Sequence, residues 1–334
     1  MRMGSGSSRG LLPSTVAVAR RAAVSVGTVS RVLNGASDVN AELRRRVLKA
    51  SRELGYVPKT PVKSIAVVVE EMHPQQPLGY VTTMVMSLIE ELANHGYLAE
   101  ITDAENLNHV RQARVNGVLG VVFDERIVSL REVPRLPIIA INSSMMLEHG
   151  IHSVSSDHFQ QSRLAVEHLL AKGHRRIAFL ETRGENWGSC RRLEGYRTTL
   201  EAAGVAVEES LIAYTRNQPV HDALDMLVRK GATALVNFSE DSALEVIHIL
   251  TNIMRLSIPR DISVVSMEDL PVFNYLSPPH TVVVQPLKKL AQVAVEQMLR
   301  FCDRRSGSSG GELVDITLPC SLIERASVRD LTRE

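Results

Sequence analysis

The chain has 334 residues, 44% hydrophobic and 22% charged, with a net charge of +1. That balance fits a globular protein of two or three domains and excludes a disordered or fibrous one. Its three cysteines, Cys190, Cys302 and Cys320, show no CxxC spacing, which excludes a disulfide scaffold or a zinc site and points to a reducing compartment. No apolar run reaches a membrane span, and no early segment joins a basic start to an apolar run and a cleavage site, so a cytoplasmic protein is expected. The charge is unevenly spread. Residues 1–58 hold ten Lys or Arg against three acids, a net +7, which leaves −6 on the remainder. A basic module on an acidic body is the footprint of nucleic-acid binding.

Residues 1–12 read as a Gly/Ser-rich tail without structure. A first helix is expected from Pro13-Ser14, with Ser14 as cap and Val16, Ala19 and Ala22 packing inward. Ala23-Val24 forms a short turn, and Ser25 caps a second helix whose Val29, Val32 and Leu33 recur at the spacing of a buried stripe. Gly27, Thr28, Ser30, Arg31 and Asn34 are left facing outward. An isolated surface helix normally carries Glu and Lys there, whereas small residues and one Arg suit a helix lying in the DNA major groove. Helix, tight turn and second helix presenting its N-terminal residues is the helix-turn-helix arrangement, against the plainer alternative of any three-helix bundle. The candidate DNA contacts are Ser14, Ser25, Val26, Gly27, Thr28, Ser30, Arg31 and Asn34, with Arg31 reading a guanine edge.

Asn40 is placed to cap a third helix running to Leu54, with Gly55 ending it and Arg44, Arg45 and Arg46 on a solvated face. The DNA-binding domain spans residues 13–58, and residues 59–63 form a short linker with prolines at 58 and 61. From Ser64 onward, apolar runs alternate with amphipathic stretches. Strands are expected at Ile65–Val69, Val118–Phe123, Pro137–Ile141, Ile177–Leu180, Ala234–Phe238, Ile262–Met267 and Val282–Val284. Helices are expected at Val81–His95, Phe159–Lys172, Arg191–Ala203, Val220–Lys230, Asp241–Asn252 and Leu287–Cys302. Continuous apolar strands alternating with helices imply parallel sheets buried on both faces, and the length calls for two of them.

Ser25-Val-Gly-Thr-Val-Ser-Arg-Val-Leu-Asn-Gly35 followed by Leu54-Gly-Tyr-Val-Pro58, with Val18-Ala-Arg20 in the first helix, resembles the headpiece of the LacI/GalR family of bacterial transcription regulators. The resemblance continues through Gly173-His-Arg-Arg-Ile-Ala-Phe-Leu180, Arg192-Leu-Glu-Gly-Tyr196, Ile258-Pro-Arg-Asp-Ile-Ser-Val-Val265 and Pro278-Pro279…Gln285-Pro286. One departure is Ala23, where the family usually has a turn glycine. The resemblance implies an α/β protein with an all-α helix-turn-helix headpiece and two Rossmann-like lobes similar to periplasmic binding proteins. These lobes form one effector and dimerisation domain over residues 64–326. The first spans about 64–157 and 286–302, and the second about 158–285 and 312–326.

Ligands of such sheets sit beyond the carboxyl ends of the strands. By resemblance, Arg192 falls at the family's effector-binding arginine, Glu268 at a family aspartate, Asp157 near the lobe crossover, and Ser239-Glu240 in place of an Asn-Asp pair. Arg192 and Glu268 facing across a cleft would bracket vicinal hydroxyls. Trp187, the one tryptophan, is read in a loop after Leu180, able to stack on a sugar face. No His-Glu-x-x-His or Gly-rich phosphate loop supports an enzyme, and Cys190 with His168 or His174 is a weak nucleophile–base pair. His73, His95 and His109 lack metal spacing.

The expected protein is a homodimeric regulator of double-stranded operator DNA, answering to a sugar-like effector, with no cofactor, metal or membrane partner. Its alternative is a small-molecule sensor whose headpiece no longer reads DNA. The family's hinge usually carries an Ala-Arg-x-Leu-like segment that wedges leucines into the minor groove. Here Val57 to Lys63 carries two prolines and no such wedge, so binding without a sharp central bend is expected.

Overall fold

The computed structural model describes residues 14–33, 39–56, 63–70, 79–112, 115–123, 125–181, 186–216, 218–239, 242–303 and 312–333. The expected tail, Asn34, the linker up to Val62, and Glu240 lie outside these. The chain divides into two compact units, residues 1–62 and 63–334.

The first unit contains α1 (Thr15–Ala22), α2 (Val26–Leu33) and α3 (Ala41–Glu53). Each begins on a side-chain cap. Ser14 Oγ accepts from the Ala17 amide at 3.2 Å, Ser25 Oγ from Thr28 at 3.0 Å, and Asn40 Oδ1 from Glu42 at 2.7 Å. Val18, Ala19, Ala22, Val29, Val32, Val47 and Ala50 form the buried core. Val16, expected inside, is 54% exposed, because its position two residues before Val18 points it away from the α1 stripe.

α1 stops on Ala23, which is left-handed at φ 53° and ψ 51°, so the turn takes the conformation that glycine would hold without strain. Arg46 is not simply solvated. Its guanidinium donates to the Ala22 carbonyl at 2.6 Å and the Ala23 carbonyl at 3.0 Å, supplying the open end of α1 with donors.

The second unit holds two six-stranded sheets. The first is built from β1 (Ser64–Val69), β2 (Leu98–Asp103), β3 (Gly117–Val121), β4 (Ile138–Ile141) and β5 (His152–Ser156), with α4 (Tyr80–Asn94) and α5 (Leu107–Gln112) between strands. The second takes β6 (Ile177–Glu181), β7 (Ile212–Tyr214), β8 (Ala234–Asn237), β9 (Ser263–Met267) and β10 (Thr281–Val284), with α6 (His158–Ala171), α7 (Trp187–Ala202), α8 (Val220–Arg229) and α9 (Ala243–His248). The chain then returns through α10 (Leu287–Asp303) and ends with β11 (Asp315–Leu318) and β12 (Ser321–Ile323).

Strand order is β11-β5-β4-β3-β1-β2 and β12-β10-β9-β8-β6-β7, and among the described residues only the β10–β12 pair is antiparallel. The segment 312–326, expected wholly in the second lobe, therefore divides: β11 pairs with β5 in the first sheet and β12 with β10 in the second. Both sheets are covered on both faces, as parallel strands require. Val67, Leu119 and Ile139 pack on α4 and α10, while Val68, Val118 and Ala140 face Ile127 and Met146. Phe179 and Val236 pack on α6 and α7, and Leu180 and Val264 on the opposite face.

One close approach fixes the site. A Cβ on Gly195 would stand 2.4 Å from the Phe159 carbonyl oxygen, so glycine lets α7 press against α6. Among the described residues, no helix is long and apolar enough to cross a membrane, and no cluster of His, Cys, Asp and Glu could hold a metal ion.

Candidate DNA-reading face and effector cleft

On the headpiece, burying Val29 and Val32 turns the opposite side of α2 outward. Ser25, Val26, Gly27, Ser30 and Arg31 are exposed, and Thr28 is partly so. Val26 is 45% exposed although apolar. Among the described residues, a Cβ on Gly27 would meet only Ser25 Oγ, at an ordinary 3.7 Å, so none of them demands glycine there. The local order of the face comes from the Ser25 cap, whose Oγ also lies 2.9 Å from Thr28 Oγ1. Seven of the eight sequence-derived DNA candidates therefore lie on described residues, Ser14 capping α1 and the other six on or beside the first turns of α2.

In the second unit, the carboxyl ends of the strands and the starts of α6 and α7 enclose a polar chamber of about 40 Å³. From the first lobe and the return crossover come Tyr80, Phe123, Asn142 and Gln285. From the second come His158, Glu181, Gly188, Arg192 and Ser239. It adjoins a wider chamber of about 680 Å³ with Phe123, Met145, Trp187 and Cys190 among its walls.

Arg192 lines the inner chamber, and its carboxylate partner is Glu181. Arg192 Nε and Nη2 donate to Glu181 Oε2 at 3.0 and 2.8 Å, and Ser239 Oγ donates to Oε1 at 3.0 Å. The Glu181 side chain is 1% exposed. Such a pair persists in a low-dielectric site only because these donors satisfy the carboxylate.

Glu268 serves elsewhere, for a backbone reason. It follows β9 in a left-handed conformation, φ 58°, which turns its carboxylate to the crossover. There it accepts from Gln285 Nε2 at 2.9 Å and from the Gln285 amide at 3.3 Å. Gln285 in turn accepts from Asn142 Nδ2 at 2.7 Å, and Asn142 Oδ1 accepts from the Ser156 amide at 2.6 Å. Asp157 is also a crossover residue: it caps α6, accepting from the Gln160 amide at 2.8 Å. Cys320 closes the third crossover through its amide on Gln160 Oε1 at 2.7 Å, and burial pushes its thiol up to about 12.

Trp187 is not in a loop but opens α7, which Asn186 caps by accepting from Ser189 at 2.9 Å. Its ring meets His158 edge-on at 5.5 Å. The sequence reading brought Arg192, Ser239 and Trp187 to the cleft and missed His158 and Glu181. The only signals were positional: His158 follows the capping Asp157, and Glu181 is a charge at the end of an apolar strand.

His158 is held neutral. Burial first, and then the Arg192 cation, lower its pKa to about 3. Its Nδ1 lies 3.2 Å from Gln161 Oε1 and 3.4 Å from Arg192 Nη1, while Nε2 is buried with no hydrogen-bond partner among the described residues. Gly188 leaves it room, since a Cβ there would lie 3.3 Å from Nε2.

Residues 17–59 match the DNA-binding region of bacterial regulatory proteins of the lacI family, and residues 166–328 match a periplasmic binding protein-like domain. The chain's domains are those of LacI-family regulators. The HTH-type transcriptional regulator AscG of Escherichia coli K12 is 29% identical to this chain over 312 residues, covering 86% of it and 91% of the relative. The solved complex of the transcriptional regulator CelR with cellobiose superposes with a TM-score of 0.69 at 26% identity, over 94% of this chain and 99% of that one. The lac repressor dimer bound to operator and the anti-inducer ONPF shares the fold, with a TM-score of 0.74 at 24% identity over 95% and 99% of the two chains.

Proposed function

We propose that this LacI-family chain is a cytoplasmic, non-catalytic transcription repressor that binds operator DNA as a homodimer and is controlled by a sugar-like effector in the inter-lobe cleft. The observation that carries the reading is the outward face of α2, whose residues are small, apolar or cationic without serving the headpiece core. Arg31 reads a guanine, Val26 contacts a thymine methyl, and Gly27 allows close approach. Ser14, Ser25, Thr28 and Ser30 are the hydroxyl donors for phosphates and sugar edges, and Asn34 is assigned with them on the family resemblance alone.

In the cleft, Arg192 and Ser239 bind the polar part of the effector and Trp187 its flat apolar face. Glu240 keeps an assignment by resemblance only. Asp157 and Glu268 act at the crossovers, setting how the lobes close rather than touching the ligand. Support for a sugar-like effector comes from relatives: CelR was solved with cellobiose and the lac repressor with ONPF.

The test selects the operator from random duplexes and follows binding by gel shift across a panel of neutral sugars and glycosides. The expected result is one palindromic site whose affinity changes about 5–150-fold with one panel member. Uniform, salt-sensitive retention on every duplex would instead indicate a headpiece that reads only phosphates.

A further inference from the structure

Glu181 has a consequence for which ligands can enter. Resting on the reading that the cleft takes the effector, we propose that Glu181 makes it a charge filter, which admits uncharged hydroxyl-bearing ligands and rejects carboxylates and phosphates. An arginine at the base of a cleft would by itself attract anions, since a guanidinium matches carboxylate and phosphate geometry. Here that attraction is already cancelled. Two of the Arg192 donor groups, Nε and Nη2, are committed to Glu181 Oε2 at 3.0 and 2.8 Å. The Glu181 charge is buried inside the same chamber and held on its other oxygen by Ser239.

An anion in this chamber would face the Glu181 carboxylate in a poorly screened space. A neutral hydroxyl meets no such repulsion and can accept from Arg192 Nη1, the guanidinium nitrogen that is not bonded to Glu181. Glu181 is therefore a specificity-determining residue, occupying the arginine before any ligand arrives.

The test uses the full-length chain and inorganic phosphate as probe, with NaCl holding ionic strength constant. Trp187 is the one tryptophan and its ring packs on His158, so its fluorescence reports the chamber. The wild type should give no saturable response that depends on Arg192. Glu181→Gln should bind phosphate at least about tenfold more tightly than the wild type, and the added Arg192→Ala change should abolish the gain. Equal phosphate binding by Glu181→Gln and the wild type would overturn the proposal.

The wild-type arm also stands alone if Glu181→Gln does not fold. A saturable phosphate or gluconate response in the wild type that disappears in Arg192→Ala would refute the filter, and its absence supports it. No effector or DNA enters these titrations. Failure of every glycoside to alter operator binding would count against the effector reading, and a phosphate response against the filter.

Discussion

The DNA-reading face and the effector cleft use the same kinds of residue in opposite ways. On α2 the polar and small residues are exposed, and the core beneath them is complete without them. In the cleft, Arg192, Glu181, His158 and Ser239 are mutually bonded and largely buried, so each carries part of the structure as well as any ligand. Substitution should therefore separate recognition from stability at the first site and couple them at the second.

The largest effect is expected at Arg192. Arg192→Ala strands the Glu181 carboxylate in the interior, and breaking a buried pair this way costs about 3–5 kcal/mol. Urea unfolding should show that loss together with a lost response to effector. Arg31→Ala should change unfolding by no more than about 0.5 kcal/mol. Its cost appears instead as about 1–3 kcal/mol in operator binding, confined to one base pair per half-site. Equal loss on specific and random DNA would show that Arg31 touches phosphate only.

Gly195→Ala tests whether the α6–α7 approach positions the cleft. Its Cβ would collide with the Phe159 carbonyl, which as backbone cannot swing aside, so a loss of about 1–3 kcal/mol and weaker effector binding are expected. Ala23→Gly is the small change in the opposite direction. Removing the left-handed strain should stabilise the headpiece by about 1 kcal/mol with operator preference unchanged.

Acid should act on the cleft and spare the α2 face. His158 titrates near 3 when folded and near 6.5 when unfolded, so the unfolded chain binds the extra proton between those values. Its contribution is fully present above about pH 6.5 and is lost as pH falls toward 3. His280, lowered to about 4 by burial, works in the same direction. The diagnostic is thus a difference: the melting temperature of His158→Gln should fall less than that of the wild type between pH 7 and 5.

The two regions also differ in how far the sequence disclosed them. The α2 face was legible because its signals are local: a cap at Ser25, a stripe at Val29 and Val32, and unusual residues between them. Strands buried on both faces were legible for the same reason, as with Ile177–Glu181. β5 was not, because its buried residues are largely serines, and β2 was not, because as an edge strand it is partly exposed and mixed in character. Arg192 was found by resemblance, but its ion-pair partner was not. Glu181 lies eleven residues earlier on another element, and the left-handed turn that points Glu268 at Gln285 leaves no mark in the sequence. Pairings set by tertiary closure are invisible to periodicity.

The most direct measurement is operator affinity with and without an active neutral glycoside, made on the wild type, Arg31→Ala and Arg192→Ala at a temperature where circular dichroism shows all three folded. The account predicts a glycoside-dependent change in the wild type. It predicts wild-type affinity but no glycoside effect in Arg192→Ala, and weak operator binding with intact glycoside binding in Arg31→Ala. An Arg192→Ala protein whose operator binding still answered to the glycoside as the wild type does would contradict it.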